Sequence, residues 1–198
     1  YLGYIISSLC SAISKWSQEA HETLRGMVAY IKGHLEQGIV YRVAKASTSW
    51  RELKVALFYD ASLHEPKSHG SYFGFLFDEH GTCLVFSWRS WRHTLATNAA
   101  KGAEVISMHQ AVTDVFAWTM SLGIDDKRLF LFGDNEAAVE TVVSGDAGAN
   151  SWLTRALGLR FYGLNDLYRE AKIIPLHVRS LRNISDPGTK VSPATLCR

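Results

Sequence analysis

Cysteine and long apolar runs are scarce in this chain of 198 residues. The three cysteines, Cys10, Cys83 and Cys197, lie far apart and include no pair with the spacing of a metal site. No apolar run is long enough to cross a bilayer, and no basic start precedes the apolar segment 4–13, which argues against a secretory signal peptide. These absences predict reduced thiols in an intracellular setting and no membrane contact.

The chain also lacks a large excess of either charge, and it contains no internal repeat. The chain carries 21 Lys and Arg against 19 Asp and Glu, for a net charge of +2. This mildly basic balance permits nucleic-acid binding without arguing for it. With 47% hydrophobic and 20% charged residues, the composition is that of a packed globular protein, and the length allows one ordinary domain plus an appendage.

The periodicity of apolar residues changes near the middle of the first hundred residues. Between Ser17 and Gly33 apolar residues recur every three or four positions, which is typical of an amphipathic helix. A polar stretch without a period follows, and after it come short apolar runs. We therefore predict a helical segment over 1–45, a linker over 46–52 and a second domain over 53–198.

The second domain alternates between strand and helix signals. The predicted elements, in chain order, are strands at 53–59, 71–77 and 82–88, a helix at 103–122, a strand at 128–132, helices at 135–143 and from Ser151 to about 171, a strand at 173–178, and a short terminal helix with Asp186 as N-cap and Pro187 in first position. Three sequential strands pair as a meander, and later strands join through helical crossovers. This order predicts an α/β fold, a mixed five-stranded sheet flanked by helices, with an N-terminal helical appendage.

Four acidic residues stand at predicted strand ends or helix starts: Asp60, Glu104, Asp134 and Asp186. Taken singly, each is more often a turn, cap or helix-dipole residue. Neighbouring strands would bring Asp60 and Asp134 together, and the start of the long helix and the last loop could add the other two. Oxygen ligands gathered in this way suit Mg²⁺ and Mn²⁺, and such a cluster can hold two ions. Together, the four favour a nuclease-type metal site.

Short motifs accompany these acids. In chain order they are YIKG at 30–33, GIVY at 38–41, YDA at 59–61, FSWRS at 86–90, AEV at 103–105, GDNEAA at 133–138 and SDPGTK at 185–190. The series resembles the C-terminal part of a copia-type LTR retrotransposon polyprotein, in which the end of a reverse transcriptase precedes a ribonuclease H (RNase H) domain. The chain departs from that pattern at Ser62, where the family has a second Asp, and at Gly188, which is expected to loosen Asp186.

The resemblance implies an RNase H-like fold and two-metal hydrolysis of the RNA strand of RNA–DNA hybrids during reverse transcription. It implies two Mg²⁺ ions, for which Mn²⁺ can substitute. Asp60 would be shared by both ions. Asp134 and Asp186 would bind the ion on the side of the attacking water, and Glu104 the ion on the leaving-group side.

The resemblance also implies partners and a place in the cell. These are the RNA–DNA hybrid, the upstream reverse transcriptase domain of the same polyprotein, and a cytoplasmic virus-like particle or the nucleus. Candidate contacts to the hybrid are Arg89, Arg92, Lys101, Asn98 and Asn135, because basic and aromatic residues together suit phosphate contacts and stacking. For the basic stretch, a solvated loop with Trp88 in the core is an equal alternative. For the two asparagines, a capping role is an equal alternative.

Two other functions are open at this point. A 3′–5′ exonuclease also uses four acids, but such enzymes have a D-x-E pair on the first strand, where this chain has Asp60-Ala61-Ser62. The second alternative is a catalytically inactive RNase H-like module of a decayed element that binds nucleic acid or supports the polymerase.

Overall fold

The computed structural model describes residues 2–45, 49, 52–63, 68–97, 99–123, 128–146 and 155–190. The elements in chain order are α1 (Leu2–Ala12), a 3-10 turn (Ile13–Lys15), α2 (Gln18–Gly33), β1 (Lys54–Ser62), β2 (His69–Phe77), β3 (Cys83–Arg92), α3 (Ala100–Ser121), β4 (Leu129–Gly133), α4 (Glu136–Ser144), α5 (Arg155–Arg169), β5 (Ile173–His177) and two further 3-10 turns (Ser180–Arg182 and Asp186–Gly188). Most of the predicted linker at 46–52, the predicted N-cap Ser151 and Cys197 lie outside the described residues. Within the described part of the chain, no helix combines the length and apolar character that crossing a bilayer demands.

The strands form one sheet in the order β3-β2-β1-β4-β5. The first three strands pair antiparallel, whereas β4 lies parallel to both β1 and β5. The tight β2–β3 connection forms because Asp78 Oδ1 accepts hydrogen bonds from the backbone N–H groups of His80 and Thr82. The predicted mixed five-stranded sheet flanked by helices, with a helical appendage, is confirmed.

Side chains alternate between the two faces of the sheet. On one face Val55, Leu57 and Tyr59 of β1 are fully buried against helices, including Met108 of α3 and Phe161 of α5. On the other face Phe58 of β1 stacks on Phe132 of β4, with ring centres 4.8 Å apart. Beyond the exposed Lys54 at its start, both faces of the first strand are therefore largely covered, which explains its continuous apolar run.

Helix α1 packs beside the edge strand β3, and α2 packs on α1. Ser17 caps α2, because its hydroxyl accepts a hydrogen bond from the backbone N–H of Ala20 at 3.1 Å. The ring of Tyr4 in α1 lies 4.6 Å from that of His69 in β2. Further on, the backbones of Arg42 and Cys83 exchange two hydrogen bonds. The division at 46–52 stays a prediction, although the segment before it contacts the sheet at these points.

Three predicted boundaries near the acids are wrong. The first strand continues two residues beyond Asp60, because it pairs with β2 as far as Ser62 and His69. The long helix begins at Ala100, which puts Glu104 in its second turn, outside the part where the helix dipole acts most strongly. The terminal helix is a single 3-10 turn that has Ser185 as its N-cap, with Asp186 in first position.

Candidate metal centre

Strand pairing brings Asp60 and Asp134 side by side. Phe58 of β1 and Phe132 of β4 are partners in the parallel pair, so two residues further on Asp60 and Asp134 stand at the same level. Asp134 follows Gly133, the last residue of β4. The register of the parallel pair β1–β4 therefore places these two carboxylates next to each other.

Asp186 completes a group of three carboxylates. Asp60, Asp134 and Asp186 each offer one oxygen, and these three oxygens lie within 4.8 Å of one another. Asp60 is buried, whereas Asp134 and Asp186 are half-buried. We call these three residues the acidic cluster. It opens to solvent on the side of Asp134 and Asp186.

Glu104 lies beside the acidic cluster and is 4% exposed. Its Oε1 accepts a hydrogen bond from the backbone N–H of Ala61 at 3.3 Å. Its Oε2 is buried, and no described group donates a hydrogen bond to it. A buried carboxylate oxygen without a donor is unfavourable unless a proton or a cation binds there.

Residues 183–190 follow β5, and we call them the closing segment. Polar contacts, two of them buried, fasten this segment to three strands. The Asn183 amide donates to the Tyr59 carbonyl at 2.9 Å, and the Ser71 hydroxyl donates to the Ser185 carbonyl at 2.5 Å. The Ser90 hydroxyl donates to the Gly188 carbonyl at 2.6 Å. These contacts fix the backbone on both sides of Asp186.

Gly188 belongs to this close packing. A Cβ atom at this position would lie 2.6 Å from Cβ of Ser71, a distance that real structures avoid. The glycine that departs from the family motif therefore permits the turn to lie against β2. These contacts hold the turn that carries Asp186 in place, in contrast to the loosening expected from Gly188.

Thr189 connects the closing segment to the first acid. Its hydroxyl donates a hydrogen bond to Oδ2 of Asp60 at 2.5 Å. The same hydroxyl lies 2.9 Å from the backbone carbonyl oxygen of Asp186. Thr189 is fully buried. The sequence pattern did not single out Thr189, Asn183 or Ser71 as site residues, although Thr189 stands within the SDPGTK motif.

Charge and burial shift the pKa values of the buried acids upwards. Burial raises the pKa of Asp60 from 3.8 to about 6; the Thr189 hydrogen bond opposes this, and the charges of Asp134 and Asp186 add to it. Burial, followed by the charges of Asp60 and Asp134, raises the pKa of Glu104 well above its usual value. Both shifts mean that the folded protein without a cation disfavours the ionised carboxylates.

The residues present fit hard divalent cations. The converging ligands are all carboxylate oxygens, a donor set that suits Mg²⁺, Mn²⁺ or Ca²⁺ better than soft metals. The buried Oε2 of Glu104, without a described donor, is a second and independent sign that positive charge belongs here.

The pH dependence of stability should reveal the free-energy cost of ionising Asp60 in the metal-free protein. Because its folded pKa is raised, the folded state holds the proton more tightly than the unfolded state. Its unfavourable contribution is absent below about pH 4 and grows as pH rises to about 6, reaching roughly 3 kcal/mol. Asp60→Asn should therefore be more stable than the parent protein by a margin that widens over this range.

Urea unfolding in EDTA, at steps between pH 4 and pH 7.5, measures that margin for the two proteins. A difference in unfolding free energy that stays constant with pH would show that Asp60 titrates normally.

The residues predicted to contact nucleic acid do not form one group: two have partners within the protein, and two others lie at the end of β3 and the start of α3. The Arg89 guanidinium donates to Asp114 Oδ2 of α3 at 2.8 Å and lies 5.4 Å from the centre of the Trp91 ring. The Asn135 side chain caps α4 by accepting from the Ala138 N–H at 3.0 Å. Arg92 is exposed at the end of β3, and Lys101 is half-buried in the first turn of α3. Asn98 lies outside the described residues.

No protein-family model matches the chain, and no curated protein matches it. Among solved structures it is similar to LC11-RNase H1 in complex with an RNA/DNA hybrid, a protein isolated from compost (TM-score 0.49, 15% identity, 67% of this chain and 91% of that chain). It is also similar to the N-terminal RNase H domain of a Mycobacterium tuberculosis protein (TM-score 0.49, 16% identity, 70% and 91%).

A retroviral RNase H domain is among the similar structures too. The RNase H domain of prototype foamy virus has a TM-score of 0.43 and 14% identity, over 72% of this chain and 86% of that one. Identities and TM-scores this low say nothing about chemistry, which depends on the side chains described above.

Proposed function

We propose that this chain is an RNase H-type nuclease that hydrolyses the RNA strand of RNA–DNA hybrids with the help of divalent cations. The observation that supports this best is the convergence of the three carboxylates of the acidic cluster within 4.8 Å, beside a buried Glu104. A structural role does not explain them, because like charges gathered in a buried place destabilise the fold.

Asp60, Asp134 and Asp186 would hold the cations, with Glu104 next to them; Mg²⁺ is the expected ion, and Mn²⁺ a substitute. Bound there, the ions would supply an activated water and stabilise the departing oxygen. The protein contributes geometry. Thr189 holds the Asp60 carboxylate, and the hydrogen bonds of Asn183, Ser71 and Ser90 hold the turn that carries Asp186.

The openness of the site and an exposed basic residue on the same sheet favour a long substrate. The acidic cluster is open on the side of Asp134 and Asp186, and exposed Arg92 projects from the strand two places away from β1 in the sheet. One of the similar solved structures is described as a complex with an RNA/DNA hybrid. Reading the 2′-hydroxyl across the minor groove would give preference for the RNA strand.

A copia-type retrotransposon origin is part of the proposal. Its support is the motif series, together with the apolar surface of the N-terminal segment, where Ile13, Trp16, Leu35 and Val40 are 45–91% exposed. Apolar surface of this kind is typical of protein interfaces, and the upstream reverse transcriptase is the expected partner. Reverse transcription would place the protein in a cytoplasmic particle or the nucleus.

Metal titration tests the proposal directly. The full chain should bind Mn²⁺ in calorimetry and cleave a labelled RNA–DNA hybrid, and Asp134→Asn should lose both properties, because the cluster then lacks one of its three charges. Glu140→Gln, which removes an exposed acid from α4, is the matched control.

Failure of the parent protein to bind Mn²⁺ or to cleave the hybrid would instead support the inactive RNase H-like module. Cleavage by Asp134→Asn at the parent rate would show that the acidic cluster is not the active site.

A further inference from the structure

Lys190 ends the closing segment, and its ammonium group touches the acidic cluster. Its Nζ donates a hydrogen bond to Asp186 Oδ1, four residues earlier in the chain. The Lys190 side chain is 56% exposed and that of Asp186 is 32% exposed. The contact therefore lies on the open side of the cluster, where a substrate would arrive.

The charge of Lys190 reaches beyond its direct partner. It weakly opposes the rise that burial causes in the pKa of Asp60 and of Glu104. The hydrogen bond to Asp186, with the charges of Asp60 and Asp134, raises the pKa of Lys190 in return. The ammonium group thus touches one carboxylate, that of Asp186, and acts on three others only through its charge. An exposed ion pair between residues four apart is usually a minor surface contact. This one differs because its acceptor belongs to a group of converging carboxylates.

The pairing conflicts with occupation of the cluster by a metal ion. Asp186 cannot serve a divalent cation fully while the same carboxylate holds an ammonium group, since the two positive charges repel each other at close range. The Thr189 hydroxyl donates to Asp60, and the Thr189 backbone N–H donates to the Asp186 carbonyl at 3.1 Å. The side chain of Lys190 can therefore swing, but its backbone stays close to the site.

We propose that Lys190 is an exchangeable counter-ion of the acidic cluster: it pairs with Asp186 while no divalent cation is bound, leaves when one binds, and then contacts a phosphate of the nucleic-acid backbone. This inference rests on the proposed nuclease function. A displaced ammonium group at the open side of the cluster finds its nearest new anion in the substrate phosphates, for which lysine is a common ligand.

The two roles predict opposite effects of one substitution. Lys190→Met should bind Mn²⁺ about fivefold more tightly, the upper end for loss of an exposed ion pair, because several carboxylates feel the lost charge. The same variant should raise KM for the hybrid about fivefold at constant kcat, because the phosphate contact is lost. Lys190→Arg keeps the charge and should stay within about twofold of the parent in both measurements.

Calorimetric titration with Mn²⁺ and steady-state cleavage of a labelled hybrid, both on the full chain, give the two numbers. Lys54→Met is the matched control, because it removes an exposed lysine from the other end of β1. It should change neither Mn²⁺ affinity nor KM.

Each outcome has a separate meaning. Unchanged or weaker Mn²⁺ binding by Lys190→Met overturns the counter-ion role, and an unchanged KM overturns the phosphate contact. A parent protein without any Mn²⁺ site overturns the nuclease proposal itself, whatever Lys190→Met does.

Discussion

Asp60→Asn should reduce cleavage of an RNA–DNA hybrid by at least about a hundredfold. Partners in the outer sphere of a metal site already cost roughly 10- to 100-fold when removed, and Asp60 is expected to be a direct ligand. It is the most buried acid of the cluster, at 3% exposed, and the charges of both Asp134 and Asp186 act on it. Loss of its charge removes the ligand that both ions are expected to share.

Asp60→Asn is well suited to testing the metal site because asparagine has nearly the same shape as aspartate. An asparagine oxygen can still accept the hydrogen bond from Thr189, so the closing segment should stay in place. The metal-free variant should even be more stable near neutral pH, since the buried charge is gone. Inactivity together with unchanged or increased stability would separate a chemical defect from a folding defect.

The measurement is cleavage of a hybrid with a labelled RNA strand in Mn²⁺, at matched concentrations of parent and variant. Asp166→Asn, which neutralises an exposed acid on α5, should cleave at the parent rate. Equal rates for the parent and Asp60→Asn would reject the assignment of the active site.

Gly133→Ala should lower the free energy of unfolding by about 3 kcal/mol, the upper end of the usual cost of overpacking. A Cβ atom here would lie 2.3 Å from both Cζ and Oη of Tyr59. Tyr59 is fully buried in the main core, so its ring cannot move aside without disturbing neighbours on β1 and α3. The backbone next to Asp134 would shift instead, and activity should fall with stability.

Gly163→Ala provides the matched comparison. Gly163 lies inside α5, and a Cβ atom there would meet nothing within 4 Å. Alanine in a helix interior is favoured over glycine by roughly 0.5–1 kcal/mol, so this variant should be at least as stable as the parent. Urea unfolding of both variants gives the two values. Similar effects of the two substitutions would mean that Tyr59 does not lie against Gly133 as closely as described.

The sequence alone predicted the class of fold because its elements are locally specified. Short apolar runs with turn residues between them indicated the strands, and the apolar periodicity between Ser17 and Gly33 indicated α2. The order of elements then allowed few topologies, and the strand order agrees with the expected meander and crossovers. Boundaries were less well predicted, since the end of β1 depends on how far β2 continues to pair with it.

The candidate acids were also visible in the sequence, because carboxylates at expected strand ends are a chemical signal that needs no coordinates. The capping role of Asn135 was one of the two alternatives open from the sequence, because a cap is a local contact. The contact of Arg89 with Asp114 was not visible, because it depends on how α3 lies against the sheet.

The sequence by itself determined the strand and helix order and the identity of the four acids, because propensity, periodicity and residue chemistry are local properties. Only the tertiary structure decided what surrounds those acids. The hydrogen bond from Thr189 to Asp60 joins residues 129 positions apart, and Gly188 is needed because its turn lies against Ser71. The Lys190 ammonium reaches the acidic cluster for the same reason. Such contacts depend on the three-dimensional path of the closing segment, and no local pattern encodes that path.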